Sequence, residues 1–180
     1  MAATVKIWDP LVRVFHWSLV ASFAIAWLSA EEWGDLHEWA GYSAGALIAF
    51  RLVWGLVGSR YARFTQFVRS PLTAAAYLRD IVTGRERRYL GHNPAGGLMI
   101  LALISCMAGL CLTGWLYTTD AFWGVDWVEE IHEALANVLL ALVILHVGGV
   151  IMAGFRHQEN LVRAMVTGRK RAPQAGDATD

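Results

Sequence analysis

The sequence predicts an all-α integral membrane protein: a bundle of four spanning helices plus a short amphipathic helix lying on one membrane surface. Two observations predict it. Of the 180 residues 56% are apolar and only 17% charged, an excess over the roughly 45–50% apolar content of soluble domains. The 15 Lys and Arg residues are also confined to the N-terminal stretch, the connection spanning residues 59–92 and the C-terminal region, with their immediate borders. A soluble core accounts for neither.

A spanning helix needs about 20 mostly apolar residues, and four segments qualify: roughly 12–30, 39–58, 95–118 and 131–155. The first is read as a span rather than a cleaved leader, because Asp9 and Pro10 interrupt its start and its apolar run is long. The connections Ser29–Glu38 and Thr119–Ile131 hold no Lys or Arg. They carry Glu31, Glu32, Asp35 and Glu38, then Asp120, Asp126, Glu129 and Glu130. Basic loops stay on the cytoplasmic side, so both termini are expected there, with the acidic loops outside. Tryptophans agree: Trp27, Trp33, Trp39, Trp115, Trp123 and Trp127 mark the outer ends of the spans, and Trp8, Trp17 and Trp54 the inner ends.

Within the long connection, Pro71 opens a stretch, Leu72–Val82, with an apolar face and Arg79 and Asp80 among its polar positions. It reads as an amphipathic helix on the inner surface, ended by Gly84. Residues 1–168 form one membrane domain, and 169–180, basic and then Pro/Gly/Asp-containing, form a cytoplasmic tail expected to be disordered. Cys106 and Cys111 have no metal-site or haem-attachment spacing and are expected simply to pack.

Four of the six histidines fall in or at the lip of spans, where an ionisable side chain is costly and points to function. His132 and His146 are fourteen residues apart, about 3.9 helical turns, so both project within roughly 40° of one direction at depths about 21 Å apart. His16 lies on the inner side of the first span and His37 at the outer end of the second. The depths pair His16 with His146 and His37 with His132. A planar macrocycle between facing helices needs two trans ligands at equal depth, so two b haems are expected, one per pair. Arg13 and Arg51 are candidate partners for the propionates of the inner haem. Snorkelling topology anchors are the alternative for both.

The segments "WDPLVRVFHW" (Trp8–Trp17), "LHEWAGY" (Leu36–Tyr42) and "GHNPAGG" (Gly91–Gly97), with the His132/His146 pair, resemble the prokaryotic cytochrome b561 and hydrogenase cytochrome b-subunit family over about residues 5–170. They are also similar to the membrane subunits of respiratory formate dehydrogenases. The resemblance implies a di-haem conduit in the bacterial inner membrane, surrounded by lipid. It would link quinone or quinol to a periplasmic redox partner such as a c-type cytochrome, with His16, His37, His132 and His146 as haem ligands. It places His92 and Asn93 where they line a quinone pocket or touch a propionate. Two other roles come with the family: a superoxide oxidase coupled to quinone reduction, and the cytochrome b subunit of a hydrogenase or dehydrogenase complex. Outer loops without cations steer against superoxide and favour a basic docking partner. No nucleic-acid partner is expected.

Overall fold

A computed structural model describes residues 3–178. Four helices are long and apolar enough to cross a membrane: α1 (Pro10–Ser29), α2 (Gly34–Val57), α5 (Pro94–Tyr117) and α6 (Asp126–His157). Between α2 and α5 come the short α3 (Phe64–Phe67) and α4 (Pro71–Thr83). After α6 comes α7 (Leu161–Thr167), and a two-stranded sheet joins β1 (Thr4–Lys6) to β2 (Arg169–Arg171). The protein is an all-α membrane bundle, with large apolar side chains turned outward. Leu28 is 80%, Leu56 71% and Phe155 81% exposed, a surface that only lipid tolerates.

α2 and α6 begin several residues before their apolar runs, because polar residues start helices. Asp9 Oδ1 accepts the Val12 N–H at 3.0 Å, which caps α1 and leaves Pro10 at its first position. Asp126 and Glu129 occupy the first turn of α6 and Asp35 that of α2, where a negative charge complements the helix dipole. In α4, Ser70 caps the start with Pro71 following, and Gly84 ends the helix in the left-handed region (φ 69°). Ala74 and Tyr77 are its buried residues, while Leu72 (82% exposed) and Val82 (84%) face outward. That is the amphipathic helix expected there.

The chain divides into two compact units. One comprises the chain up to Arg13, Val53–Leu101 and the chain from Ile144 onward. Its small core gathers Ile7, Trp8, Leu90 and Ala164, with Val5, Tyr61 and Met165 packed against it. Asp9 also reaches this unit's Ser59 hydroxyl and the Trp54 indole. Burial pushes its carboxyl upward, but these hydrogen bonds and the Val12 N–H outweigh that and hold it below the usual carboxylate range.

The segment after Thr167 departs from the disorder expected of it. β2 pairs antiparallel with β1, setting Val5 opposite Lys170. The alternation of a strand turns Lys170 inward, where it is 5% exposed. Its ammonium lies 3.3 Å from Glu159, whose other oxygen is 2.8 Å from Arg88. Arg88 also pairs with Asp177. Burial raises the Glu159 carboxyl, but hydrogen bonding from Arg88 and the charge of Lys170 more than offset it and leave it lowered. The Asp177 carboxyl is likewise held low, burial being outweighed by the Gln174 N–H and Arg88. Composition alone reads such a segment as a solvated tail; β1, Arg88 and Tyr89, all far away in sequence, order it together with Glu159. Residues 179–180 of the expected tail lie outside the described residues.

The second unit comprises Val14–Leu52 and Ala102–Val143. Val128 and Leu139 are fully buried within it. Ser22 and Ser43 hydrogen-bond at 3.1 Å between α1 and α2. Both cysteines are free; Cys106 donates weakly to the Leu135 carbonyl and Cys111 to that of Gly41, the packing role expected of them.

Candidate functional site: an imidazole pair in the second unit

His37 ends the first turn of α2 and His132 stands in the second turn of α6, and their ring centroids are 6.0 Å apart with planes inclined at 68°. His37 Nδ1 lies 2.8 Å from the Ala26 carbonyl of α1. A carbonyl only accepts, so Nδ1 carries the proton and Nε2 keeps its lone pair. His132 Nδ1 lies 3.0 Å from the Thr113 hydroxyl of α5. That hydroxyl donates its own hydrogen to the Gly109 or Leu110 carbonyl, at 3.1 and 3.0 Å. It therefore accepts from Nδ1–H, and His132 too is left with a basic Nε2. All four spanning helices contribute: two supply rings and two fix which nitrogen is basic.

These residues suit a haem. Two ring radii plus two iron–nitrogen bonds of about 2 Å sum to about 6 Å between imidazole centroids across an iron, close to the separation here. Axial ligand planes are free to rotate about their common axis, so 68° is compatible. Fixing a ligand's far ring nitrogen on a carbonyl or hydroxyl is the usual outer shell of a metal-bound histidine. A Cβ added at Gly41, one turn after His37, meets nothing within 4 Å, so the small residue leaves flat space along that face. Gly114 has a different role: a Cβ there would stand 3.0 Å from His132 Cε1, so a larger residue would require the ring to shift by a few tenths of an ångström. Among the described residues no group of three His, Cys, Asp or Glu side chains gathers around a bare ion. A porphyrin brings four nitrogens of its own and needs only the pair.

Thr113 was not singled out from the sequence, although a hydroxyl beside a glycine in a strongly apolar helix was the available signal. Thr113→Val keeps the volume and removes the acceptor. We expect it to leave the protein folded but lower haem retention at this pair roughly 10–100-fold, the usual cost of a lost outer-shell partner, read by haem titration of apoprotein.

The other expected site residues are distributed between the units. Arg51 is 4% exposed on α2 in the second unit. His16, on α1 in the same unit, has its ring edge-on to Trp17 at 5.0 Å. His146 is half-buried on α6 and belongs to the first unit. The helix between it and His132 is unbroken, so the fourteen-residue register holds. Arg13 turns to the chain's C-terminal part, donating to the Val166 carbonyl, with its Nε 3.2 Å from where a Gly168 Cβ would stand. His92 is held between Trp8 and Phe67, at 4.6 and 4.8 Å between ring centroids. Asn93 accepts the Gly96 N–H at 2.7 Å and thereby caps α5. Its amide NH2 remains a donor.

A bundle of apolar helices carrying a tautomer-fixed imidazole pair defines the class, a membrane protein equipped to hold a metal macrocycle. The sequence matches the prokaryotic cytochrome b561 family over residues 7–168, and the chain belongs to that family. No curated protein matches it. Membership makes it a multi-pass haem b protein of the membrane that carries electrons.

Proposed function

We propose that this protein passes electrons through two b haems between the quinone pool and a periplasmic redox protein, in the bacterial inner membrane with both termini cytoplasmic. The observation that carries the reading is the His37/His132 pair: two basic Nε2 atoms on rings 6.0 Å apart, each orientation fixed by a partner from another helix. Bound haem supplies a one-electron carrier at each site. The protein's part is to hold the rings in their ligating tautomer and exclude water with apolar helices. His16 and His146 hold the second haem, a pairing supported by their positions along the spans. Arg13 and Arg51 are candidates to neutralise its propionates.

The quinone site is proposed on the inner side, at His92 and Asn93. Quinone carbonyls accept hydrogen bonds, and the Asn93 amide keeps its donors while its oxygen caps α5. Quinol oxidation there would release two protons and two electrons, which a bound haem would accept one at a time. Reconstituted protein should be reduced by added quinol and reoxidised by a basic c-type cytochrome, and His92→Ala or Asn93→Ala should slow the first step with both haems retained. Full-rate reduction in both variants, with loss in Glu130→Gln, would move the site to the outer face.

Glu31, Glu32, Asp35, Asp126 and Glu129 are all exposed and are proposed to dock the periplasmic partner. Neutralising them should lower the association rate with a basic cytochrome about tenfold at low salt and flatten its salt dependence. A rate indifferent to ionic strength would leave these acids as topology signals only.

A further inference from the structure

The first unit contains a cavity of about 610 Å³ that the haem and quinone proposals do not use. Four arginines line it, Arg87, Arg88, Arg156 and Arg171, against two carboxylates, Glu86 and Asp177. The pairings are uneven. Arg156 is spent on Glu86, gripping its oxygens at 2.9 and 3.1 Å. Arg88, 4% exposed, is held between Glu159 and Asp177. Arg87 and Arg171 make no ion pair among the described residues. Arg87 Nε donates only to the Gly176 carbonyl, at 3.1 Å, and Arg171 Nε is buried with no hydrogen-bond partner. Two guanidinium groups thus share one concave site without an ion pair of their own among the described residues, Arg171 acting on the Asp177 carboxylate only through space.

We propose that this pocket binds a phosphate group, with Arg87 and Arg171 as its two ligating cations and the Arg88 ion cluster as its rigid floor. Planar guanidinium forks match phosphate oxygens bidentately, and the volume is that of an ordinary small-ligand site. Arg156 and His157 are the last residues of spanning helix α6, which sets the pocket where a membrane helix leaves the apolar layer. The phosphodiester of an anionic lipid reaches that level, and so does a free phosphate from solution. Topology anchoring by itself requires only positive charge near the surface; it does not require a buried arginine fixed by two carboxylates beside two arginines that make no ion pair among the described residues.

The test compares the full-length haem-loaded protein with the double variant Arg87→Gln/Arg171→Gln and with Arg169→Gln, which removes a cation from the same strand outside the pocket lining. Native mass spectrometry in detergent counts retained phosphatidylglycerol, and thermal unfolding with inorganic phosphate against chloride at equal ionic strength reads free phosphate. Each pocket substitution should weaken binding about tenfold, the worth of one charge-assisted hydrogen bond, while Arg169→Gln behaves as wild type. Loss of lipid alone identifies a headgroup site, and loss of the phosphate effect alone a soluble anion site. Equal behaviour of wild type and double variant in both arms, with unchanged helical circular dichroism, would overturn the proposal.

Discussion

His132→Ala and His37→Ala should each abolish the same haem, lowering the haem-to-protein ratio by one while the other haem keeps its spectrum and potential. His16→Ala and His146→Ala should each remove the other. On the proposed ligation, losing one imidazole would leave its partner alone, and a single imidazole does not hold a low-spin macrocycle. The expectation is firmest for the first pair, where both Nε2 lone pairs are fixed by the Ala26 carbonyl and the Thr113 hydroxyl. Potentiometric titration separates the haems, so the four variants should fall into two pairs with indistinguishable residual titrations. If His16→Ala and His37→Ala removed one common haem, the assignment of ligands to sites would be wrong.

Glu159→Gln should have the largest effect on the structure around the chain ends. The carboxylate holds Arg88 at 2.8 Å, Lys170 at 3.3 Å and the Arg171 N–H at 3.0 Å. Its removal leaves two buried cations with only Asp177 between them. Breaking a buried ion pair from one side costs about 3–5 kcal/mol, enough to release β2 from β1. Hydrogen exchange should then lose protection at Thr4–Lys6 and Arg169–Arg171, while the His37/His132 haem spectrum is unaffected. The same contact predicts acid lability. Glu159, Asp177 and Asp9 all have carboxyls below their ordinary values, so their contribution is complete above the usual carboxylate range and fades as pH falls through the lowered values. Strand protection should hold from neutral pH down to about 4 and decline below it. Protection unchanged in Glu159→Gln would show that backbone pairing alone secures the strands.

The spans were legible because each is a long apolar run whose ends are marked by charge. α6 still extends from Asp126 rather than from about 131, since its first turn is built from acids that no hydropathy window counts as membrane. The approach of His37 to His132 was legible too, from the positions of the two histidines along α2 and α6. Sequence periodicity had no means of showing what fixes the rings. The Ala26 carbonyl is a backbone atom, and Thr113 and Gly114 matter only because α5 brings them against His132.

The C-terminal strand was illegible for a related reason. Arg-Lys-Arg reads as solvated charge until Glu159 and Tyr89, whose carbonyl takes Lys170 at 3.0 Å, are placed around it. Gly168 joins it to α7 at φ 78°, and a Cβ there would stand 2.6 Å from the Trp8 carbonyl. Both the left-handed backbone and the close approach require glycine at this point.

The central claim is that imidazole pairs on these helices hold two b haems, and the most direct measurement is the haem-to-protein ratio of the purified wild-type protein with electron paramagnetic resonance of its oxidised form. Two haems per chain, extractable by acid-acetone and both low-spin with bis-imidazole signatures, are the predicted result. A single haem, a high-spin five-coordinate signal or covalently retained haem would contradict it.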